Sequence, residues 1–250
     1  MFDTLYRLNN VSYDYPIGKR VFTHALDHID LTVKKGEAVT VVGPSGCGKS
    51  TLLYLLSGLQ QPTEGEIYFE GKPLKELNRK AVLILQDYGL FPWKTVAENI
   101  SLGLILNQKE NRLKAKAIQE KTAEILKILK IEKQADKFPT QLSGGQRQRV
   151  AIGRALIMNP EVLLMDEPFA ALDAVTKENL KNLIQDICRK HNLTLVFVTH
   201  NIEEAFKLGS KIIVFGQEPG RIKEIIDKSE PDAYNKIEKA LGIGGADNEA

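Results

Sequence analysis

Long hydrophobic runs are the first thing that this 250-residue sequence lacks. No stretch approaches the ~18 consecutive apolar residues that a membrane-spanning helix needs. The first residues, Met1 to Thr4, also lack the charged and then apolar pattern of a secretory signal, so we expect none. With 43% hydrophobic and 26% charged residues, the composition is typical of a globular protein with a sizeable core.

Excess charge of one sign and cysteine are also scarce. The 34 basic residues nearly balance the 32 acidic ones and no basic stripe dominates, so nucleic acid is not indicated as a partner. Cys47 and Cys188 have no metal-type spacing, and we interpret them as reduced thiols of a cytosolic protein. His24 and His28 are four residues apart in a region that reads as strand or loop, so we expect exposed polar residues rather than a metal pair.

A glycine-rich stretch is the most informative feature that is present. Residues Gly43–Thr51 match G-x-x-x-x-G-K-[ST], an apolar run Ala38–Val42 precedes them, and a helical pattern continues to Ser57. Glycines let the backbone approach an anion closely, and the helix start adds unpaired N–H donors. We therefore predict that Lys49 reaches the β- and γ-phosphates of a nucleotide and that the Ser50 hydroxyl binds Mg²⁺.

The order of apolar runs predicts an α/β fold with a mostly parallel central sheet. Alternating segments at 5–15 and 26–33 predict an antiparallel layer beside the nucleotide site. The continuous apolar run 81–85 predicts a buried, parallel strand. The remaining predicted elements are helices at 109–131, 141–158 and 176–190, strands at 162–165 and 193–198, and a closing hairpin at 211–215 and 221–226.

These elements predict one domain, residues 1–228. Its core comprises residues 1–95 and 160–228, and the mostly helical residues 96–159 form an insert. A C-terminal helix and tail follow at 229–250, and we expect the end of that tail to be disordered.

Polar residues stand at the carboxyl ends of several predicted strands, where doubly wound sheets bind their ligands. These residues are Lys49, Ser50, Gln86, Asp166, Glu167 and His200. Asp166 follows four apolar residues and could hold Mg²⁺, and Glu167 is a candidate general base for an attacking water. Gln86 could orient that water or touch the metal, and His200 could bind the γ-phosphate. An Asp at a strand end is often only a helix cap and a lone His is often structural, so the prediction depends on the whole set.

Leu142–Gln146, with the sequence L-S-G-G-Q, predicts a second helix start that can bind an anion. This stretch lies in the helical insert, so one nucleotide cannot easily use both it and the Lys49 loop of the same chain. A second copy, related by a two-fold axis, would bring the stretch over the γ-phosphate bound by the first copy. We therefore expect a head-to-tail dimer with two equivalent composite sites.

Together these motifs resemble the ATP-binding cassette (ABC) ATPases over residues 5–226, and the match is far more specific than any single motif. The matching segments are Gly43–Thr51 (Walker A), Gln86 (Q-loop), Leu142–Gln146 (signature), Val162–Glu167 (Walker B), Ala170–Asp173 (D-loop) and His200 (switch histidine). The family often has Ser or Gly where Ala170 stands, which puts a side-chain hydrogen bond from this position in doubt. Tyr15 aligns with the aromatic residue that stacks on adenine, with Tyr13 as its competitor.

The resemblance implies a P-loop NTPase fold, ATP and Mg²⁺ as cofactors, and hydrolysis of ATP to ADP and phosphate. The implied catalytic residues are Lys49, Gln86, Glu167 and His200, and the implied metal-binding residues are Ser50, Gln86 and Asp166. The implied ATP-binding residues are Tyr15, Gly43, Pro44, Ser45, Gly46, Cys47, Gly48, Lys49, Ser50, Thr51, Gln86, Leu142, Ser143, Gly144, Gly145, Gln146, Asp173 and His200.

Three further stretches, Gln86–Trp93, Thr95–Asn99 and Pro219–Ile222, resemble importer ATPases of the nitrate, sulfonate and taurine type. That resemblance implies uptake of a small solute through separate integral-membrane permease subunits, with an extracytoplasmic solute-binding protein as an indirect partner. It places the ATPase peripherally on the cytoplasmic face of the cell membrane. Thiamine-precursor importers are similar, and a soluble ABC ATPase outside transport is the remaining alternative.

Phe91, Pro92 and Trp93 follow the Q-loop residue at the start of the helical insert. Apolar side chains in a loop often mark an interface, so we expect them to line a groove for a short cytoplasmic helix of the permease. Packing against the helical insert is the alternative interpretation.

Overall fold

The computed structural model describes residues 3–16, 22–106, 114–170, 172–217 and 219–243. A six-stranded, mostly parallel sheet forms the centre of this part of the chain, with the spatial order β10-β9-β3-β8-β7-β6. Its strands are β3 (Ala38–Val42), β6 (Ala81–Ile84), β7 (Val162–Asp166), β8 (Thr194–Thr199), β9 (Lys211–Phe215) and β10 (Ile222–Asp227). Only β10 runs antiparallel to its neighbour, β9, so the predicted parallel sheet and closing hairpin are confirmed.

A four-stranded antiparallel sheet forms a second layer, as the alternating early segments predict. It has the order β2-β1-β4-β5. Its strands are β1 (Thr4–Pro16), β2 (Phe22–Lys34), β4 (Glu64–Phe69) and β5 (Lys72–Pro73). In β2, burial alternates from Ile29 to Val33. The carboxyl end of β1 and the amino end of β2 lie beside the glycine-rich loop.

Seven helices belong to the described residues. They are α1 (Lys49–Ser57), α2 (Val96–Leu106), α3 (Ala115–Ile128), α4 (Gly144–Leu156), α5 (Ala174–His191), α6 (Ile202–Leu208) and α7 (Ala233–Leu241). The helix predicted at 109–131 is seen from Ala115 to Ile128, and residues 109–113 lie outside the described part, as does the tail from residue 244. Across the described ranges, no helix combines the length and the apolar character needed to cross a membrane.

The leucines of α1 pack between the two sheets. Leu52, Leu53, Leu55 and Leu56 are fully buried in one cluster with apolar residues of β1, β2, β3 and β8. Burying a leucine side chain contributes about 1.5–3 kcal/mol, so this helix is anchored mainly by packing. Because α1 begins at Lys49, the same packing fixes the position of the glycine-rich loop.

The prediction that residues 81–85 form a buried strand is wrong in part. β6 is parallel to β7, as expected, but it lies at the edge of the sheet with a neighbour on one side only. Val82 and Leu83 are therefore only half-buried, and Leu85 is 37% exposed. A continuous apolar run shows that both faces of a strand are largely covered, but it does not show that both edges are paired.

Candidate nucleotide site

The glycine-rich loop wraps tightly between β3 and α1. Gly46 and Gly48 have φ values of +82° and +88°, a conformation that L side chains rarely adopt. A Cβ at Gly48 would also lie 2.4 Å from the carbonyl oxygen of Ala25. Glycine is therefore required at position 48 for two reasons, the backbone conformation and the close approach of β2.

Lys49 lies inside this loop rather than in solvent. The residue is only 6% exposed, and its ammonium group donates hydrogen bonds of 2.9 Å to the carbonyl oxygen of Gly43 and 2.7 Å to that of Pro44. The Cys47 sulfur lies 3.9 Å away, and burial raises the pKa of that thiol. The loop thus holds a positive charge at its centre and keeps the neighbouring cysteine neutral.

A cavity of about 420 Å³ opens above the loop. It is lined by Tyr15, Thr23, Ala25, Ser45, Gly46, Gly48, Lys49, Ser50, Thr51, Gln86 and Glu167. Nine of these residues are predicted from the sequence as parts of the site. Thr23 and Ala25 are the two that sequence reasoning missed, because they belong to no motif and reach the cavity only through the pairing of β2 with β1.

Tyr15, rather than Tyr13, lines the cavity. Its hydroxyl group shares a hydrogen bond of 3.2 Å with the hydroxyl of Thr51 in α1, and it donates a longer one of 3.4 Å to Gln60. The ring of Tyr13 meets that of Tyr15 edge to face, with centroids 4.9 Å apart. The second tyrosine therefore supports the first from outside the cavity.

Asp166 and Glu167 follow one another at the carboxyl end of β7. Asp166 is 8% exposed, and burial raises the pKa of its carboxyl group although a hydrogen bond from Ser50 opposes the shift. Glu167 has a φ of +43°, in the left-handed region that non-glycine residues rarely adopt, so the chain turns sharply there. His200, at the end of β8, has its Nδ1 atom 3.4 Å from Oε2 of Glu167.

Two segments that the sequence does not predict as parts of the nucleotide site support the loop from behind. A Cβ at Gly220 would lie 2.2 Å from the carbonyl oxygen of Cys47, so the turn before β10 packs directly on the glycine-rich loop. The Gly220 amide donates to Ala25, and Asp27 accepts hydrogen bonds from the Arg221 guanidinium. The loop is therefore enclosed by β2 on one side and by the closing hairpin on another.

The sequence pattern that defines the family "ABC transporter" matches residues 26–170, more than half of the chain. The chain belongs to the ABC transporter family. The aliphatic sulfonates import ATP-binding protein SsuB of Bacillus cereus is 40% identical over 216 residues, which cover 86% of this chain and 83% of the relative. The probable sulfate/thiosulfate import ATP-binding protein CysA of Chlorella vulgaris is 45% identical over 204 residues, covering 80% of this chain and 84% of the relative.

A solved structure gives the same assignment. The dimeric, post-hydrolysis structure of the ATP-binding cassette MJ0796 with ADP and Pi has a TM-score of 0.81 and 34% identity, over 91% of this chain and all of the other. The expected ABC ATPase fold is thereby confirmed. This chain is an ATP-binding, ATP-hydrolysing subunit of the ABC family.

The ABC signature motif forms the predicted second helix start. Ser143 caps α4: its hydroxyl accepts a hydrogen bond of 3.3 Å from the Gln146 amide, and the Gln146 side chain accepts one of 3.0 Å from the Ser143 amide. Among the described residues, this motif does not line the 420 Å³ cavity, and neither does the D-loop residue Asp173, whose carboxylate caps α5. Within one chain, therefore, the signature motif lies apart from this cavity.

The loop after the Q-loop residue is held by one buried amide. Asn99 is fully buried, and its side chain accepts a hydrogen bond from the Phe91 amide and donates to the carbonyl oxygens of Phe91, Lys94 and Thr95. Trp93, between these anchor points, is 70% exposed and meets the Phe91 ring edge to face at 5.5 Å. An ordered loop thus presents a large apolar side chain on the surface.

Proposed function

We propose that this ABC ATPase energises the uptake of a small oxyanion, with sulfonates, taurine among them, and sulfate as the leading candidates and nitrate behind them. The relatives named for sulfonate and for sulfate or thiosulfate import support this class of solute. The chain would act at the cytoplasmic face of the cell membrane, beside permease subunits formed by other chains. A solute-binding protein outside the membrane would deliver the solute without touching the ATPase.

The single observation that carries the proposal is the arrangement around the 420 Å³ cavity. Tyr15 lines it, and its ring could stack on adenine, while Lys49 lines it from within the glycine-rich loop. Backbone N–H groups of this loop and the start of α1 favour the negative charge of phosphates. ATP would therefore lie with its base at Tyr15 and its phosphates over Lys49.

Ser50, Gln86 and Asp166 fit a Mg²⁺ ion. They offer a hydroxyl, an amide and a carboxylate oxygen, which are the ligands that this ion prefers alongside phosphate oxygens. Burial and the neighbouring Glu167 charge raise the pKa of Asp166, so a cation there would stabilise the ionised form. Held by these three side chains, the ion would supply positive charge that stabilises the negative charge of the phosphates during hydrolysis.

Glu167 and His200 would act on the attacking water and the γ-phosphate. Glu167 lines the cavity and is 19% exposed, which suits a general base that must meet a water molecule. Gln86, also in the lining, would help to orient that water. His200 would bind the γ-phosphate and, through its position 3.4 Å from Glu167, keep the two groups aligned.

The signature motif would complete the site from a second copy of this chain. Ser143 and Gln146 lie outside the cavity of their own chain, and the solved relative is dimeric. A two-fold axis would place each α4 start over the phosphates held by the partner. Asp173, at the start of α5, would lie at the same interface.

Two inactive variants test the composite site. Ser143→Arg should abolish hydrolysis while the monomer still binds ATP, and Lys49→Ala should abolish hydrolysis by weakening phosphate binding. In an equal mixture, half of the dimers would contain one chain of each variant. Each of these dimers would have one intact site out of two, so about a quarter of the normal rate should return. Ser143→Ala, which also removes the helix cap, is the control for loss of α4 stability.

No recovered activity in that mixture, with dimers shown by sedimentation to have exchanged, would contradict the composite site. Equal loss of ATP binding by the isolated Ser143→Arg monomer would contradict it as well.

Uptake measurements test the transport proposal. Cells that lack this chain should lose uptake of one labelled oxyanion among sulfonate, sulfate, nitrate and taurine. The intact chain and a Lys34→Ala control should restore uptake, whereas Lys49→Ala should not. Tagged protein recovered only in soluble complexes, with uptake of all four solutes unchanged, would instead indicate an ABC ATPase outside transport.

A further inference from the structure

A buried carboxylate, Glu204, lies between the end of β8 and the first turn of α5. The residue is 5% exposed, and one of its oxygens accepts a hydrogen bond of 2.7 Å from the Thr199 hydroxyl. Its other oxygen lies 3.3 Å from the ammonium group of Lys177. A buried charge is costly unless it is paired and hydrogen-bonded, so this side chain connects two separate elements firmly.

One side of this connection encloses His200. The Thr199 hydroxyl also accepts a hydrogen bond of 3.1 Å from the Asn201 amide, and the Asn201 side chain accepts one of 2.9 Å from the Glu204 amide. His200 thus lies within a closed ring of hydrogen bonds between residues 199 and 204. The ring fixes the backbone from which the imidazole extends toward Glu167.

The other side of the connection is the D-loop helix. α5 begins directly after Asp173, and the amide of Lys177 donates a hydrogen bond of 2.9 Å to the Asp173 carbonyl oxygen. A positive side chain in the first turn of a helix is unfavourable, because the N–H groups there already carry partial positive charge. Pairing with Glu204 offsets that cost and holds the first turn of α5 against β8.

We infer that Glu204 is a positioning residue for ATP hydrolysis, and that the Lys177–Glu204–Thr199 connection holds His200 in register with the D-loop. This inference rests on the proposed role of His200 at the γ-phosphate. Movement of α5 when a second copy binds would be transmitted to the imidazole through two polar contacts. Hydrolysis would then be fastest only when the D-loop is in contact with the second copy.

If Glu204 only helped to hold α5 against α6, different results would be expected. Other polar contacts also join α5 to α6, namely that of Glu178 with Lys207 and that of Gln185 with the Lys207 carbonyl oxygen. If Glu204 merely added to these, its loss would lower stability without a specific effect on turnover. The measurements must therefore separate kcat from KM and from thermal stability.

Thr199→Val and Thr40→Val form a matched pair for this purpose. Both threonines are buried in parallel neighbouring strands, and each hydroxyl bonds to α6, that of Thr40 to the Ala205 carbonyl oxygen. Only Thr199 adjoins His200. We expect Thr199→Val and Glu204→Gln to lower kcat about tenfold with KM for ATP changed less than about twofold, the scale of coupling between contacting residues. Thr40→Val should leave kcat unchanged, and Thr199→Ser should restore it.

A double-mutant cycle with His200→Ala decides whether Glu204 acts through the imidazole. If it does, Glu204→Gln should cost little further once His200→Ala has slowed hydrolysis. Retention of the full effect in the His200→Ala background, or an unchanged kcat in Glu204→Gln, would overturn the inference while leaving the proposed function intact. Normal hydrolysis by His200→Ala would overturn the role of His200 and this inference with it.

A second variant replaces Glu204→Gln if circular dichroism and the melting temperature show that Glu204→Gln does not fold. In that case Lys177→Met, which removes the α5 partner of Glu204, tests the same connection. It should lower kcat in the same way, and an unchanged kcat would count against the connection.

Discussion

The imidazole of His200 and the carboxylate of Glu167 come from adjacent strands, β8 and β7, and lie 3.4 Å apart at the edge of the nucleotide cavity. They are separated by 33 positions in the sequence, and the parallel pairing of the two strands brings them together. The backbone strengthens this arrangement, because the Glu167 amide donates a hydrogen bond of 3.1 Å to the Val198 carbonyl oxygen.

Glu167→Gln should abolish turnover and keep ATP binding. The amide has the size of the carboxylate but cannot accept a proton, and loss of a general base costs roughly 10²–10⁴-fold in rate. Phosphate release and nucleotide binding measure the two effects, and sedimentation should detect a dimer trapped with ATP. Glu161→Gln, just before the opposite end of β7, is the matched control and should hydrolyse ATP normally. Near-normal hydrolysis by Glu167→Gln would remove Glu167 from its role.

His24→Gln should alter how stability depends on pH. The hydrogen bond with Asp14, helped by the charges of Asp14, Asp27 and Glu64, raises the pKa of His24. A raised pKa means that the protonated form stabilises the folded state below the unfolded value of about 6.5 and that this contribution is lost as pH rises through the folded pKa.

The difference in free energy of unfolding between the parent and His24→Gln should therefore be larger near about pH 5.5 than near about pH 9. Because half of the side chain is exposed, the difference should be small. Urea titrations at several pH values measure it, and His191→Gln at the end of α5 controls for the loss of a histidine. A difference that grows with pH would contradict the assignment.

Gly220→Ala should weaken nucleotide binding, although residue 220 is far from the glycine-rich loop in the sequence. The added Cβ would lie 2.2 Å from the Cys47 carbonyl oxygen, a backbone atom that cannot yield without moving the glycine-rich loop. Overpacking of this kind typically costs about 1–3 kcal/mol. Gly216→Ala in the same hairpin is the matched control. A Cβ there would lie 3.3 Å from the flexible Lys223 side chain and 3.8 Å, an ordinary contact distance, from the Arg221 carbonyl oxygen. Calorimetric binding of ATP and the melting temperature should both fall more in Gly220→Ala than in Gly216→Ala.

Asn99→Leu should release the loop that carries Trp93. The substitution is close in volume but removes one acceptor and two donors from a buried site, leaving several carbonyl oxygens and the Phe91 amide without their partner. We expect a loss of stability of about 1–3 kcal/mol and a shift in the emission of Trp93, the only tryptophan. Ser101→Ala, in the same helix α2, is the control. Unchanged emission with normal stability would show that Asn99 does not order the loop.

The parts of the site that lie in continuous motifs are predictable from the sequence, and the parts that depend on pairing between strands are not. The glycine-rich loop needs only a strand, glycines and a helix start, and all three are local. Thr23 and Ala25 reach the cavity because β2 pairs with β1. Gly220 reaches the back of the glycine-rich loop because the hairpin β9–β10 continues the sheet past β3. Neither relation leaves a periodic signal in the sequence.

The same limit explains the error at β6. Apolar residues on both faces predict a buried strand whether it lies inside the sheet or at its edge, because the pattern reports which faces are covered and not which neighbours are paired. Glu204 shows the opposite case, because a charged residue in an amphipathic helix is ordinarily expected to be exposed. Its burial becomes favourable only through contacts with the Thr199 and Lys177 side chains, which the fold brings next to it.

A ligand of the loop must compete with the two hydrogen bonds that Lys49 donates to the carbonyl oxygens of Gly43 and Pro44. To displace those bonds, a ligand must bind the ammonium group more strongly than the two neutral carbonyl oxygens do. Charged phosphate oxygens do so, since hydrogen bonds between ionised groups are roughly twice as strong as those between neutral ones. Sugars, alcohols and free bases offer no such gain, so the lysine stays engaged with its own backbone in their presence. The carbonyl groups of Gly43 and Pro44 thus compete with any ligand for Lys49, and a ligand with charged phosphate oxygens is favoured over a neutral one.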